Sequence, residues 1–593
     1  MSETKEEYDW DLTGLFKNEE ERLESIERFN QYIDEIKSFQ GKLNHLEEVK
    51  KYYETKVEAC KLHIKIYAYA MFKFHQNMGD SENSKLYKDA VSLGAKYAEN
   101  ISYAVPELIE NSKEDLESWA SHPEMKEYKR SLERILKDKE HVLSKESEEL
   151  LASYSEVFGA VENAYDVFTT TDFVFKDIED ENGEKQKMSH GLYSKYLAGR
   201  DRILRKNAFE AMYQPYKQNI NTITELYLAR VKDVVTTARV RKYRNAIDMA
   251  SQNDDSKEEV YYTLVEAVDE NLGLNHEYLD LKSKLLCSEL DDGKMHMYDV
   301  YRNTFEAEEQ NISYEEAKKI VLNALSIMGE DYVSKLKEAM DHRWIDVYEK
   351  ENKRKGAYRM GVYGVHPFVL LNFVNSSRDV STIAHELGHS MHSYYADTTQ
   401  NVLNSDYTIM VAEVASTVNE ILLANYQIKN TENKEKKAFL INEQLDMIRA
   451  TLFRQTMFAE FEQIVHQRIE SHENLSAEDL NEIYFELVKK YFGETTICDD
   501  YIKYEWARIP HFYSNFYVYK YATGITSAIV IAKNIMDGKP GYVEEYIKML
   551  SKGGAEDSLD LLKSVGVDLT KKETYNIAFE YFKENLIELT KLI

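Results

Sequence analysis

A chain of 593 residues interrupted by only 6 prolines and 22 glycines has few places where a helix is forced to stop. The runs between them are rich in Leu, Glu, Lys and Ala, so the expected fold is mainly α. A single hydrophobic core stops growing well below this length, and two or more domains are expected. With 43% hydrophobic and 30% charged residues, the composition is that of a globular chain rather than a disordered one. A formal charge of -30 argues against nucleic acid or an anionic membrane as partner, since either would be repelled. The opening residues Met1–Glu7 are polar and acidic, without the apolar core of a signal peptide. The longest apolar stretches, such as Ile525–Ala532, are far too short to span a membrane. Cys60, Cys287 and Cys498 have no metal-site spacing, and an odd count offers no disulfide framework. They read as core residues of a protein in the reducing cytoplasm.

Along the chain, amphipathic helices rich in Tyr, Leu and Glu run from Tyr8 to about Leu150. Asp172–Phe175 then leads to Asn182-Gly183, a hairpin turn signal. Helices resume at Ser194 and continue to about Lys284. A second β region is expected near Met297–Tyr301, returning in Gly356–Gly364 and Val369–Phe373, and beyond Asp406 the pattern is helical to Ile593. No repeat, low-complexity linker or charged tail marks a boundary. The division expected is an N-terminal helical domain with a short hairpin over 1–193 and a second domain over 194–593.

Within that second stretch lies His385-Glu386-Leu387-Gly388-His389. Histidines at i and i+4 share one face of a helix and can reach one ion, and the glutamate beside them can take a proton from a zinc-bound water. Chance supplies about 0.04 such matches in a chain of this composition. Upstream, Asn375–Asp379 offers N-cap residues, and Val380, Ile383, Ala384, Leu387 and Met391 form a stripe at helical spacing. That stripe would bury one side of the helix and leave the histidines facing a cleft. Gly388 costs about 1 kcal/mol of helix propensity against Ala, so a close approach of another backbone or a substrate is expected there.

A catalytic zinc takes a third protein ligand and keeps a position for water. Two residues compete for the role. His392 lies on nearly the same helical face, but it is about 10 Å along a straight helix axis from His385 at roughly 1.5 Å per residue. Glu413 lies in the otherwise apolar segment Ile409–Ala415, where a charge needs a partner, and a short loop could fold that segment back against the first helix. Glu413 is the better fit. Glu420, two turns further on the same face, could orient a ligand histidine through its free ring nitrogen.

Taken together, these residues resemble the oligoendopeptidase F branch of the thimet-oligopeptidase-like zinc metallopeptidases. The likeness covers nearly the whole chain. It runs through Trp10-Asp11-Leu12, Arg343–Tyr348, Gly356-Ala357-Tyr358, Tyr363–Pro367, His385–Tyr395, Ala412–Ser416, Pro510–Tyr513 and Phe516–Gly524. The resemblance implies a multi-helix peptidase split by a deep central channel, with a small β-sheet next to the zinc helix. It implies one Zn2+ per chain held by His385, His389 and Glu413, Glu386 as general base, and short unfolded oligopeptides as substrates. It suggests His511 and Tyr519 as hydrogen-bond donors to the oxyanion of the tetrahedral intermediate, with Tyr517 and Tyr521 as neighbours that could substitute. The spacing around His511 departs from the thimet branch, which leaves the individual tyrosine roles open. The reaction expected is internal cleavage of oligopeptides. The rivals are release of terminal dipeptides and a non-enzymatic helical binding protein with a vestigial zinc site, against which an intact Glu386 argues. Oligomeric state and bond preference stay open.

Overall fold

In the computed structural model, which describes residues 6–305 and 311–593, helices carry most of the chain, from Glu19–Ser38 to Lys572–Leu592. Among the described residues seven short strands accompany them: β1 (Ile178–Glu179), β2 (Lys185–Gln186), β3 (Met295–His296), β4 (Ile345–Tyr348), β5 (Tyr358–Met360), β6 (Phe368–Phe373) and β7 (Thr496–Ile497). The chain packs as two compact units, each assembled from three stretches. The first comprises residues 1–141, 309–426 and 531–567; the second comprises 142–308, 427–530 and 568–593. Packing therefore does not follow a single cut at 193/194, because the chain leaves each unit and later returns to it.

In the first unit the N-terminal helices Glu19–Ser38, Leu46–Gln76 and Ser81–Ile101 build the core. Asn18 and Asp80 cap two of them, each accepting backbone N–H groups of the first turn. Phe29, Ile33 and Ile36 recur at helical spacing and are buried. The same core takes in Trp10, Val362, Phe368 and Leu370, so the helices close over one face of a three-stranded sheet ordered β4-β6-β5. β6 runs parallel to β4 and antiparallel to β5, with Ile345 opposite Val369 and Tyr358 opposite Leu370. The indole N–H of Trp10 donates to the carbonyls of Trp344 and Val369, at 3.0 and 2.8 Å, tying the start of the chain to the sheet. Under β4, the buried Asp346 accepts from Lys353 Nζ at 2.6 Å and from Gln76 Nε2 at 2.7 Å, which satisfies a charge that would be costly alone.

Several expectations shift. The hairpin turns at Asn182-Gly183, with Gly183 at φ +78°, but its strands lie at 178–179 and 185–186, and Phe168–Asp172 is a π-helical turn. The β region near Met297 shrinks to Met295–His296, because Met297–Asp299 coils into a 3-10 turn held by a capping box between His296 and Asp299. β4 was not expected: Ile345–Tyr348 is short, and its Asp346 disguises the apolar run. The cysteines are free: Cys60 is half-buried and packs against the hydrophobic core, Cys498 is half-buried and Cys287 is exposed. Among the described residues no helix is long and apolar enough to cross a membrane.

Candidate active site

β6 runs straight into the motif helix, Ser377–Thr399. Its start is set locally by a capping box. Ser376 Oγ accepts the Asp379 N–H at 3.3 Å, and Asp379 Oδ2 accepts the Ser376 N–H at 2.8 Å. Val380, Ile383, Ala384, Leu387 and Met391 are all buried, the apolar stripe read from the sequence. The helix Val414–Lys429 crosses over Gly388. A Cβ added there would lie 2.5 Å from the Ala415 carbonyl oxygen and 2.6 Å from Ser416 Cα, so only glycine permits the approach. Asn419, fully buried on the crossing helix, donates from Nδ2 to the Ala384 carbonyl at 3.0 Å and accepts the Tyr332 hydroxyl at 3.0 Å. This clamp fixes Glu413, just before the crossing helix, against the motif. The preceding loop is bolted at its other end, where the Gly554 N–H donates to the Asn404 carbonyl at 2.8 Å and the hydroxyls of Thr408 and Ser558 are 2.5 Å apart.

The result is a compact donor set. His385 Nε2 and His389 Nε2 are 3.2 Å apart, and Glu413 Oε2 lies 3.6 Å from the first and 3.4 Å from the second. Tetrahedral donors at zinc distances of about 2.0–2.2 Å sit roughly 3.3–3.6 Å from one another, so two imidazoles and a carboxylate in this arrangement fit a divalent ion of zinc's size. Glu420 Oε2 lies 3.2 Å from His385 Nδ1, which turns the Nε2 lone pair toward the other donors. Burial opposes charge on His385, but the carboxylates of Glu420, Glu386 and Glu413 together outweigh it and hold the ring above its ordinary pKa. On His389 burial wins and the pKa falls. The hydrogen bond from His389, outweighing burial, draws Glu413 down to about 2, so it is an ionised carboxylate throughout the neutral range. Glu386 is buried, and burial pushes its carboxyl up to about 7 against the opposing charges of His385 and Arg359. A carboxyl poised near neutrality is suited to moving protons.

His392 stands outside this set. Its buried ring stacks on Tyr407 at 3.6 Å and 4°, and Tyr407 in turn contacts the hydroxyl of Ser393 at 3.2 Å and the guanidinium of Arg359. Arg359, Tyr407 and Asn419 escape a motif search. Arg359 directly follows Gly356-Ala357-Tyr358, quoted above for the resemblance, while Tyr407 and the buried amide of Asn419, directly before Glu420, carry no sequence signal of their own.

The aromatic segment lies in the second unit. His511 belongs to a short 3-10 turn, Pro510–Tyr513, and is exposed. Its Nε2 is 3.4 Å from the Tyr521 hydroxyl, and the Tyr517 ring stacks near it at 5.8 Å. Tyr519 differs. It is 1% exposed, its ring packs on Tyr261 at 5.0 Å, and burial raises its phenol. A side chain so enclosed presents no donor at a surface, whereas Tyr517 and Tyr521 are only half-buried.

Comparison with known proteins agrees with this geometry. The family model for peptidase family M3, a family of metallopeptidases, matches residues 196–581, and that for oligopeptidase F matches residues 107–175. The chain is similar to oligopeptidase PepF of Bacillus subtilis, at 38% identity over 100% of this chain and 88% of that protein. It is also similar to the group B oligopeptidase PepB of Streptococcus agalactiae, at 36% identity over 100% and 98%. Among solved structures, oligoendopeptidase-F from Enterococcus faecium is 32% identical over 96% of this chain and 98% of that one, with a TM-score of 0.72. A crystal structure from Chlamydophila abortus, also 32% identical, reaches a TM-score of 0.95 over 100% and 99%. With a family model matched over well over half its length and relatives alike from end to end, the chain belongs to peptidase family M3.

Proposed function

We propose that the protein is a zinc-dependent endopeptidase that hydrolyses internal bonds of short, unstructured oligopeptides. The observation that carries this reading is the donor set of His385, His389 and Glu413, mutually 3.2–3.6 Å apart, with the buried carboxyl of Glu386 alongside. One Zn2+ held by these three residues would supply Lewis acidity to the scissile carbonyl and to the attacking water. Glu386 takes a proton from that water as general base and returns it to the leaving amine as general acid. A purely structural metal site has no use for such a residue.

The substrate backbone has a natural partner in the sheet. The glycine-spaced stretch from Gly356 to Phe373 supplies both β5 and the central strand β6, whose two edges are engaged by β4 and β5. The edge strand β5 is the part of that stretch to which an extended peptide adds by backbone hydrogen bonds. For the oxyanion we keep His511 as a donor and move the phenol from the buried Tyr519 to Tyr521. Oligopeptides as substrates are in line with the names of the bacterial relatives, and a cytoplasmic location is part of the same proposal.

The test is Glu386→Gln. It should keep one zinc per chain by elemental analysis and cleave no peptide. Normal turnover in that variant would sink the assignment. Mass spectrometry of products from peptides blocked at both ends separates internal cleavage from dipeptide release, because an enzyme that needs a free terminus leaves such peptides whole.

A further inference from the structure

Among the described residues, a fully buried carboxyl with an unpartnered oxygen takes no part in this chemistry. Glu462, on the helix Arg454–Glu470, is 0% exposed. Its Oε1 accepts the backbone N–H of Phe516 at 2.8 Å, and its Oε2 has no partner. Phe516 holds φ at +56°, the left-handed region that bulky residues avoid. Its buried ring lies against His466 at 4.4 Å and Tyr261 at 5.7 Å. His466 extends the arrangement. Its Nδ1 is 2.8 Å from the Glu462 carbonyl oxygen, so the ring N–H donates there and Nε2 is left to accept the Asn515 amide at 3.1 Å. Full burial pushes His466 down to about 4, in keeping with that neutral tautomer. Upstream, the same chain segment is anchored by Glu505, which accepts from Arg454 at 2.6 Å and from the Tyr484 hydroxyl at 2.6 Å. The Ser514 N–H donates to the His511 carbonyl and the Tyr517 N–H to that of Ser514, so the left-handed residue sits inside the bend linking His511 to Tyr517 and Tyr521.

We propose that Glu462 is the positioning residue of this loop: by accepting the Phe516 N–H it holds the left-handed turn, and through that turn it sets the mutual geometry of His511, Tyr517 and Tyr521. The significance for catalysis rests on the reading above, in which His511 and Tyr521 donate to the oxyanion. Burial raises the Glu462 carboxyl to about 8, so near neutrality it is mostly a neutral acid that a glutamine mimics closely. Without the acceptor, the buried Phe516 N–H is unpaired, the turn relaxes toward negative φ, and the donors shift. Displacements of about 1 Å in a catalytic constellation cost on the order of 100-fold in rate.

Three variants at this position make the test. Glu462→Gln keeps the acceptor and should retain kcat within about threefold. Glu462→Met removes it at similar length and should lower kcat roughly 10–100-fold, with KM within about threefold and zinc content unchanged. Glu462→Asp, which withdraws the oxygen by one methylene, serves if the Met variant does not fold and should lose kcat in the same way. Amide hydrogen exchange over residues 512–521 should accelerate in the Met and Asp variants and not in the Gln variant. Wild-type kcat and exchange in both Met and Asp variants, or equal losses in all three, would overturn the proposal. His511→Ala and Tyr521→Phe keep the two readings distinct. If neither changes kcat, the donor assignment falls, and the positioning role then stands or falls on the exchange data alone.

Discussion

Replacing Gly388 with alanine sets two opposite effects against each other inside the metal motif. In an open helix the substitution would add stability, about 1 kcal/mol from propensity alone. Here the new methyl group would meet the Ala415 carbonyl oxygen at 2.5 Å, and ordinary contact begins near 3.4 Å. The crossing helix must therefore retreat by about 0.9 Å, at an overpacking cost of roughly 1–3 kcal/mol. Glu413 is two residues from the point of collision and would move with it. A carboxylate placed for a bond of about 2.1 Å would then stand near 3 Å, outside zinc coordination range. Gly388→Ala should thus cost about 0–2 kcal/mol of net stability and weaken zinc binding at least tenfold, as judged by competition with a chelator, and activity at limiting zinc should fall in parallel. Gly159→Ala is the control: that exposed helical glycine has nothing within 4 Å of an added Cβ, and the change should stabilise the protein. Wild-type zinc affinity in Gly388→Ala would refute the reasoning, because the backbone approach would then have no bearing on the ligand geometry.

Glu420→Gln weakens the carboxylate on His385 Nδ1 and should reduce zinc affinity about 10–100-fold while keeping the stoichiometry at saturating metal. His392→Ala should retain zinc, since the ring is engaged with Tyr407, and lose about 2–4 kcal/mol of stability in chemical denaturation, as other buried rings do. Glu462, raised to about 8 in the fold from 4.5, holds a proton between those values that the unfolded chain releases. Stability should therefore fall as pH rises through that window, and Glu462→Gln should flatten the slope measured between pH 5 and pH 8.

The motif helix is readable in the sequence because everything that makes it is local: a capping residue, an apolar stripe and two histidines one turn apart. Gly388 is readable for a related reason, since a glycine that costs helix propensity asks for a neighbour. Glu413 needs more, a loop that turns the chain back, yet a lone charge among Ile409, Met410 and Val411 already demands a partner. Asn419 is not readable, because its value lies in two hydrogen bonds to Ala384 and Tyr332, residues far away along the chain. The strand β4 fails for a similar reason: its Asp346 looks like a break until Lys353 and Gln76 appear beside it. Tyr519 shows the limit of motif reading within a tyrosine-rich segment, where spacing does not tell a packed ring from a presented one.

The bolt between Thr408 and Ser558 has a consequence for how the enzyme is made. The proposed ligands from His385 to Glu413 leave the ribosome together, and the loop between them is held first by Glu127, which accepts from the Asn404 amide, and only later by residues 553–558. About 150 residues separate Thr408 from Ser558, which at 5–20 residues per second means a delay on the order of 8–30 s. During that interval the nascent chain carries both histidines and the carboxylate without the second fastening of the loop that joins them. The last fastening of the loop is therefore acquired late in synthesis, and a transcript ending before residue 553 would yield a chain with all three proposed donors and the Asn419 clamp in place but one end of the loop unfastened.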